Sequence, residues 1–238
     1  MRLILSRKGM DSSIGGIPSP ILPDGRFCSL PIPELDPHAA TKGMPYARLR
    51  TGDTTVGSLV SQLTRGRISP DAAAHLDPDL DPLAIDRAPG WRPVFGQAGA
   101  AESHLVSAGV GPGDLFLFFG WFRQTVLVDG RLRFEKGAPD IHAIFGWLQI
   151  AERLSLTGGD PRPPWAVQHP HCLGEPYASQ DSLYISAEHL DLHGIPAGTI
   201  PGGGVGRRFS SSLCLTAPSE NRSMWLLPEW FHSASDGA

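Results

Sequence analysis

Three short segments carry side chains whose types and spacing suit chemistry. The first is Ser6-Arg7-Lys8-Gly9-Met10-Asp11-Ser12-Ser13, directly after the apolar Leu3-Ile4-Leu5. A strand over residues 2–6 puts these polar groups at a sheet end. Arg and Lys bind phosphate or carboxylate, and nearby glycines let backbone N–H groups approach an anion. Arg7, Lys8, Asp11, Ser12 and Ser13 are therefore candidate substrate-binding residues. The competing reading is a solvated turn. Neither the P-loop pattern nor the G-x-G-x-x-G dinucleotide fingerprint is present.

The second segment is His75-Leu76-Asp77-Pro78-Asp79-Leu80-Asp81-Pro82. In an extended chain its His and three Asp side chains point to one side. Such a row holds a hard cation or raises the pKa of one carboxyl for acid catalysis. The third is His169-Pro170-His171, whose two imidazoles also project from one side. With a carboxylate from elsewhere they suit a transition metal, and alone they can move protons. Asp77, Asp79, His169 and His171 are the candidate catalytic residues, expected to form two walls of one site. The alternative is two rigid, proline-braced structural corners. Spacing assigns no third ligand, so metal binding stays open and no cofactor is named.

The positioning elements follow from periodicity. Val56, Leu59, Val60 and Leu63 fall on one helical face, predicting a helix over 54–65 capped by Asp53 or Thr54. A second helix is predicted over 97–108, with Ala101, His104, Leu105 and Ala108 inward. Short strands are predicted at Phe27–Ile32, Trp165–Val167, Leu183–Ser186, Ser212–Thr216 and Met224–Leu227. From Asp114 to Phe122 the chain is almost wholly apolar, as in a strand buried on both faces. Its aromatics read as core, while Trp121 and the following Arg123 join the substrate-binding candidates as a stacking ring and a cation. Asp129-Gly130 between two strand-like runs marks a hairpin. A long strand follows over His142–Leu154, with a bulge at Gly146. Gly202-Gly203-Gly204 before Arg207-Arg208 reads as a flexible connection that can also cradle an anion.

Composition narrows the class. The 238 residues contain 28 Gly and 23 Pro, so loops are abundant. Lys plus Arg number 20 against 24 Asp plus Glu, a net charge of −4, which excludes a broadly basic nucleic-acid coat. DNA binding would need a local basic site. No apolar run reaches membrane-spanning length or resembles a secretory leader, so a cytoplasmic protein is expected. Three scattered cysteines argue against a disulfide framework. Residues 1–110 read as loop- and helix-rich and 113–227 as strand-rich, within one α+β domain with a curved or barrel-like, mainly antiparallel sheet. Spacing carries no information on oligomeric state.

Ser6-Arg7-Lys8-Gly9-x-Asp11-Ser12, Pro18-Ser19-Pro20-Ile21, Asp77-Pro78-Asp79-Leu80, Gly113 through Phe122, and His169-Pro170-His171 occur in this order. Together they resemble the bacterial and phage family called nucleotide modification associated domain, third type, over nearly the whole chain. That resemblance implies a role in making or handling hypermodified bases in DNA. Gly113-Asp114 with its apolar strand, and Ile144-Phe145-Gly146, are also similar to PUA-like barrels, which implies a base-binding pocket. Three functions remain open: an enzyme acting on a nucleotide or nucleic-acid base, a non-catalytic reader of a modified base, and a partner-binding subunit. The polar clusters favour the first over the third.

Overall fold

The computed structural model describes residues 1–34 and 43–232. Its strands are β1 (Leu3–Arg7), β2 (Ser19–Ile21), β3 (Ile32–Pro33), β4 (Met44–Pro45), β5 (Arg50–Thr51), β6 (Thr54–Thr55), β7 (Ala73–His75), β8 (Val94–Ala98), β9 (Leu115–Val128), β10 (Arg131–Phe134), β11 (Ile141–Ser155), β12 (Asp181–Ser186) and β13 (Gly203–Val205). The principal helices are α1 (Val56–Leu63) and α2 (Gly99–Ser107). No helix among the described residues is long and apolar enough to cross a membrane.

The main sheet runs β1-β9-β11-β12-β8, with β2 and β10 also on β9 and β13 on β11. It is mixed, because β1 and β2 run parallel to β9, and its path ends at β1 and β8 without closing. The expected barrel is therefore an open sheet, and its pairing is less uniformly antiparallel than the hairpin signals implied.

β9 organises this sheet. Phe116, Phe118 and Phe122 point into a core with Phe95, Phe145, Leu148 and Tyr184. Phe119 faces the other way, against Trp225 at 4.8 Å between ring centroids. β1 follows β9 along Leu115–Phe119 and β2 resumes along Phe122–Gln124. The intervening loop lifts off the sheet beside Gly120. A Cβ there would lie 3.0 Å from the Lys8 carbonyl oxygen, so the close approach favours glycine.

A second core packs α1 against Tyr46, Leu49, Leu30 and Met10. The α1 cap falls one residue later than expected, with Thr55 Oγ1 accepting from the Ser58 N–H. The hairpin at Asp129-Gly130 and the bulge at Gly146 form where the sequence places them. Four expectations are corrected. Trp165–Val167 is replaced by a 3-10 turn at Pro164–Ala166. Phe27–Ile32 contributes only a bridge and the short β3. Ser212–Thr216 is largely a 3-10 turn with isolated bridges, and Met224–Leu227 retains only the bridge from Trp225 to Thr216.

Helix α2 packs Leu105 against the core as expected, but the rest of its inward face differs. Ala101, His104 and Ala108 are exposed, and its buried residue is Glu102. The carboxylate accepts from Arg153 Nε at 2.8 Å and the Tyr184 hydroxyl at 2.9 Å, and these bonds set the rotation of the helix. Burial with Glu102 raises the Tyr184 pKa. Arg153→Met strands a fully buried charge and should cost about 3–5 kcal/mol in urea unfolding; adding Glu102→Gln should recover part of that loss. His142, under Trp225, supplies a pH prediction. Burial first, then Arg222 and Arg7, hold its pKa down at about 4. An unperturbed imidazole titrates near 6.5, so between these pH values the unfolded chain binds more protons. Stability should fall as pH drops through that window, and His142→Gln should flatten the slope.

Candidate functional site

Residues distant in sequence meet where the chain leaves β1. Lys8 follows β1, and its N–H donates to the Phe119 carbonyl at 2.8 Å. His75 ends β7, Gly96 and Gln97 belong to β8, and His171 lies on a 3-10 turn, Pro170–Cys172. Together with Arg7, Asp11, Asp77 and Tyr177 they line an open cleft of about 340 Å³.

Asp77 is the hub. Its Oδ2 lies 3.3 Å from Lys8 Nζ, and its Oδ1 accepts from the Gly96 N–H at 2.6 Å. His169 Nε2 is 3.3 Å from Oδ1, within ion-pair range but not aligned as a hydrogen bond. Lys8 Nζ also reaches Gln97 Oε1 at 3.4 Å and stands 4.2 Å from the Phe95 ring centroid. Burial alone would raise the Asp77 pKa. Lys8, the His169 contact and the two imidazoles outweigh it and hold the carboxyl far below its ordinary range. Asp77 is thus a fixed anion, suited to binding a cation and unsuited to donating a proton.

The imidazoles are oriented from behind. His171 Nδ1 is 2.5 Å from Asp181 Oδ1, and Asp181 Oδ2 accepts from the Tyr177 N–H at 2.8 Å. His75 Nδ1 is 3.1 Å from Glu34 Oε2, which also accepts from the Tyr177 hydroxyl at 3.1 Å. In both rings Nε2 is the nitrogen turned away from the carboxylate. His169 is reversed: its Nδ1 accepts from the His171 N–H, so its proton sits on Nε2, toward Asp77. Burial chiefly, with Glu34 beside it, raises the Tyr177 pKa and keeps its hydroxyl protonated. One ligand atom each from His75, Asp77 and His171 lies within 4.8 Å of the others, a spacing that can hold a metal ion.

Of the residues singled out from sequence, Arg7, Lys8, Asp11, Asp77 and His171 border this cleft, and His169 supports it from a buried position. Asp11 organises its own loop: Oδ1 accepts from the Ser13 N–H and hydroxyl and the Ile14 N–H, and Oδ2 pairs with Arg7 at 2.6 Å. Burial raises the Asp11 pKa, but these bonds and Arg7 bring the net value down. Ser12 faces Arg222, which stacks on Trp121 at 4.1 Å on the other side of the loop. Arg123 lies apart from the cleft, with Asp140 and the Glu135 carbonyl. Asp79 is also elsewhere. Both its oxygens are held by Arg87 at 2.6 Å, because the alternation from His75 is lost beyond Asp77 and Asp79 pairs with Val94. Glu34, Gln97, Tyr177 and Asp181 escape the sequence reading, since no local spacing links them to the histidines or the lysine they serve.

The glycine-rich segment is a packing device. Gly203 and Gly204 run in β13, and a Cβ on Gly202 would lie 2.1 Å from the Ala187 carbonyl oxygen.

The chain belongs to the nucleotide modification associated domain 3 family, whose model matches residues 2–237. Neither the curated proteins nor the solved structures contain a match.

Gly96 gives a direct test of how the cleft is packed. A Cβ there would fall 2.3 Å from His171 Cδ2 and 2.7 Å from its Nε2. Gly96→Ala should displace the imidazole and lower stability by about 1–3 kcal/mol. Chemical unfolding measures the loss, and a crystal structure of the variant should show the ring moved from Asp181.

Proposed function

We propose that the protein is an enzyme that modifies a nucleotide or nucleic-acid base on the way to a hypermodified base, and that the Lys8–Asp77–His171 cleft is its active site. The observation that supports this most is the convergence of cations, a buried anion and two carboxylate-backed imidazoles on one cavity. Family membership supplies the nucleotide.

Each group has a role in this reading. Arg7, half-exposed in its pair with Asp11, swings to a phosphate in two-pronged fashion. Lys8 adds a point charge. His171, held at Nδ1 by Asp181, keeps its other ring nitrogen for the reacting group, as a proton acceptor or as a metal ligand. His169 is a positioning residue for Asp77. The Arg87-bound Asp79 has no catalytic part in this scheme. A second, mainly apolar cavity of about 140 Å³ shares Gly9 and Asp77 with the cleft and is lined by Phe27, Cys28, Leu49 and Phe145. It is the natural seat for a base beside the polar cleft. A net charge of −4 fits a mononucleotide substrate better than extended duplex DNA.

The apolar cavity also favours one alternative, a PUA-like reader that holds a modified base without changing it. His171→Gln separates the two: an enzyme loses base modification in cells while still binding nucleotide, whereas a reader has no modification to lose. For the phosphate contact, titration calorimetry with a nucleoside 5′-monophosphate should show Arg7→Ala weakened by ~1–3 kcal/mol, the range for a charge-assisted hydrogen bond. Arg7→Lys should recover only part of the binding. Unchanged affinity in Arg7→Ala removes this loop from the site.

A further inference from the structure

We propose that His75, Asp77 and His171 are the protein ligands of a divalent first-row transition-metal ion of the Fe(II) or Zn(II) kind. This deepens the reading of the cleft as a nucleotide-modifying site. Three independent features carry it.

The donors come from two distant segments, yet one ligand atom of each lies within 4.8 Å of the other two. Loaded sites of this type have metal–ligand bonds of about 2.0–2.2 Å, so the three side chains must draw inward on binding. Both imidazoles have Nδ1 against a carboxylate, Glu34 for His75 and Asp181 for His171. Such pairing fixes the tautomer and raises the basicity of the other ring nitrogen, as in metal-binding histidines. A positive charge already occupies the place beside Asp77. Lys8 Nζ sits 3.3 Å from Oδ2, and Lys8 is a flexible side chain with a second partner in Gln97. Metal binding at Asp77 would release Lys8 to the cleft, where it is free to meet a phosphate.

The donor chemistry selects the ion. Two imidazoles disfavour Ca²⁺ and Mg²⁺, which take oxygen ligands, and suit Zn, Fe or Cu. Three protein ligands leave at least one position open toward the cavity, as in a reactive site and unlike a closed structural one. His169 is not a fourth ligand, because its Nδ1 accepts from the His171 N–H and its Nε2 faces Asp77.

The test is titration of chelator-treated, full-length protein with Co²⁺ alone under anaerobic conditions, read by visible absorption. One equivalent should bind with ligand-field bands, and Mg²⁺ should not displace it. His75→Gln and Asp77→Asn should weaken binding at least tenfold. Glu34→Gln should weaken it by roughly tenfold through its imidazole. Lys8→Met should tighten it, because a competing cation is gone; a purely structural ion-pair network does not predict that direction. His104→Gln, on the exposed side of α2, should change nothing. If Asp77→Asn unfolds, the opposite shifts in Glu34→Gln and Lys8→Met decide the matter. Folded wild-type protein without Co²⁺ bands, or with bands indifferent to these variants, overturns the proposal. Nucleotide that binds through Arg7 with no metal at the triad leaves the nucleotide reading standing alone. Metal bound at the triad, with no nucleotide affinity in its presence or absence, sinks that reading and spares the metal site.

Discussion

The arrangement of this protein depends on keeping one ionised carboxylate, Asp77, out of water. An isolated buried charge is costly, and the cost is met only by partners in good geometry. Lys8 arrives from the end of β1, the Gly96 N–H from β8, and His169 from the 3-10 turn before β12. β1, which delivers Lys8, and β8, which carries Gly96, lie at opposite ends of the main sheet path. Satisfying one anion therefore ties the sheet's two ends to the segment after β7.

Close packing allows this meeting. Gly96 lets the His171 ring lie against the β8 backbone, and Gly120 lets the Lys8 backbone approach β9. Gly146 sits at the β11 bulge with Leu80 and the Gly204 carbonyl against it. Each absent Cβ leaves room for a neighbour whose place fixes either the cleft or the sheet that carries it. The high glycine content thus includes positions where backbone and ring are in direct contact, along with loops.

Much of the scaffold was legible in local pattern. The apolar β9, the Asp-Gly hairpin, the β11 bulge and helix α1 each follow from a few adjacent residues. β8 was not legible, because Val94–Ala98 is short and its inward Phe95 acquires meaning only against β9 and β12. Helix α2 defeated the apolar-face argument because a buried Glu102, paired from β11 and β12, outweighs alanines on the other side. At the cleft, the cationic loop, Asp77 and the two histidines could be singled out from residue type. The regular alternation that grouped Asp79 with Asp77 ends with β7, and Arg87 then claims Asp79. Glu34 and Asp181 orient the imidazoles across 41 residues in one case and 10 in the other, with no shared periodicity to announce them.

Carboxylates against Nδ1 of His75 and His171 leave Nε2 of both rings for a ligand, while His169 directs its Nε2 at Asp77. Nitrogen-15 NMR of the histidine rings at neutral pH measures this directly. Nδ1-protonated His75 and His171 and Nε2-protonated His169 are expected, with shifts at the first two Nε2 signals when a nucleoside monophosphate and Zn²⁺ are added. Nε2-protonated His75 and His171, with signals unmoved by both additions, would contradict it.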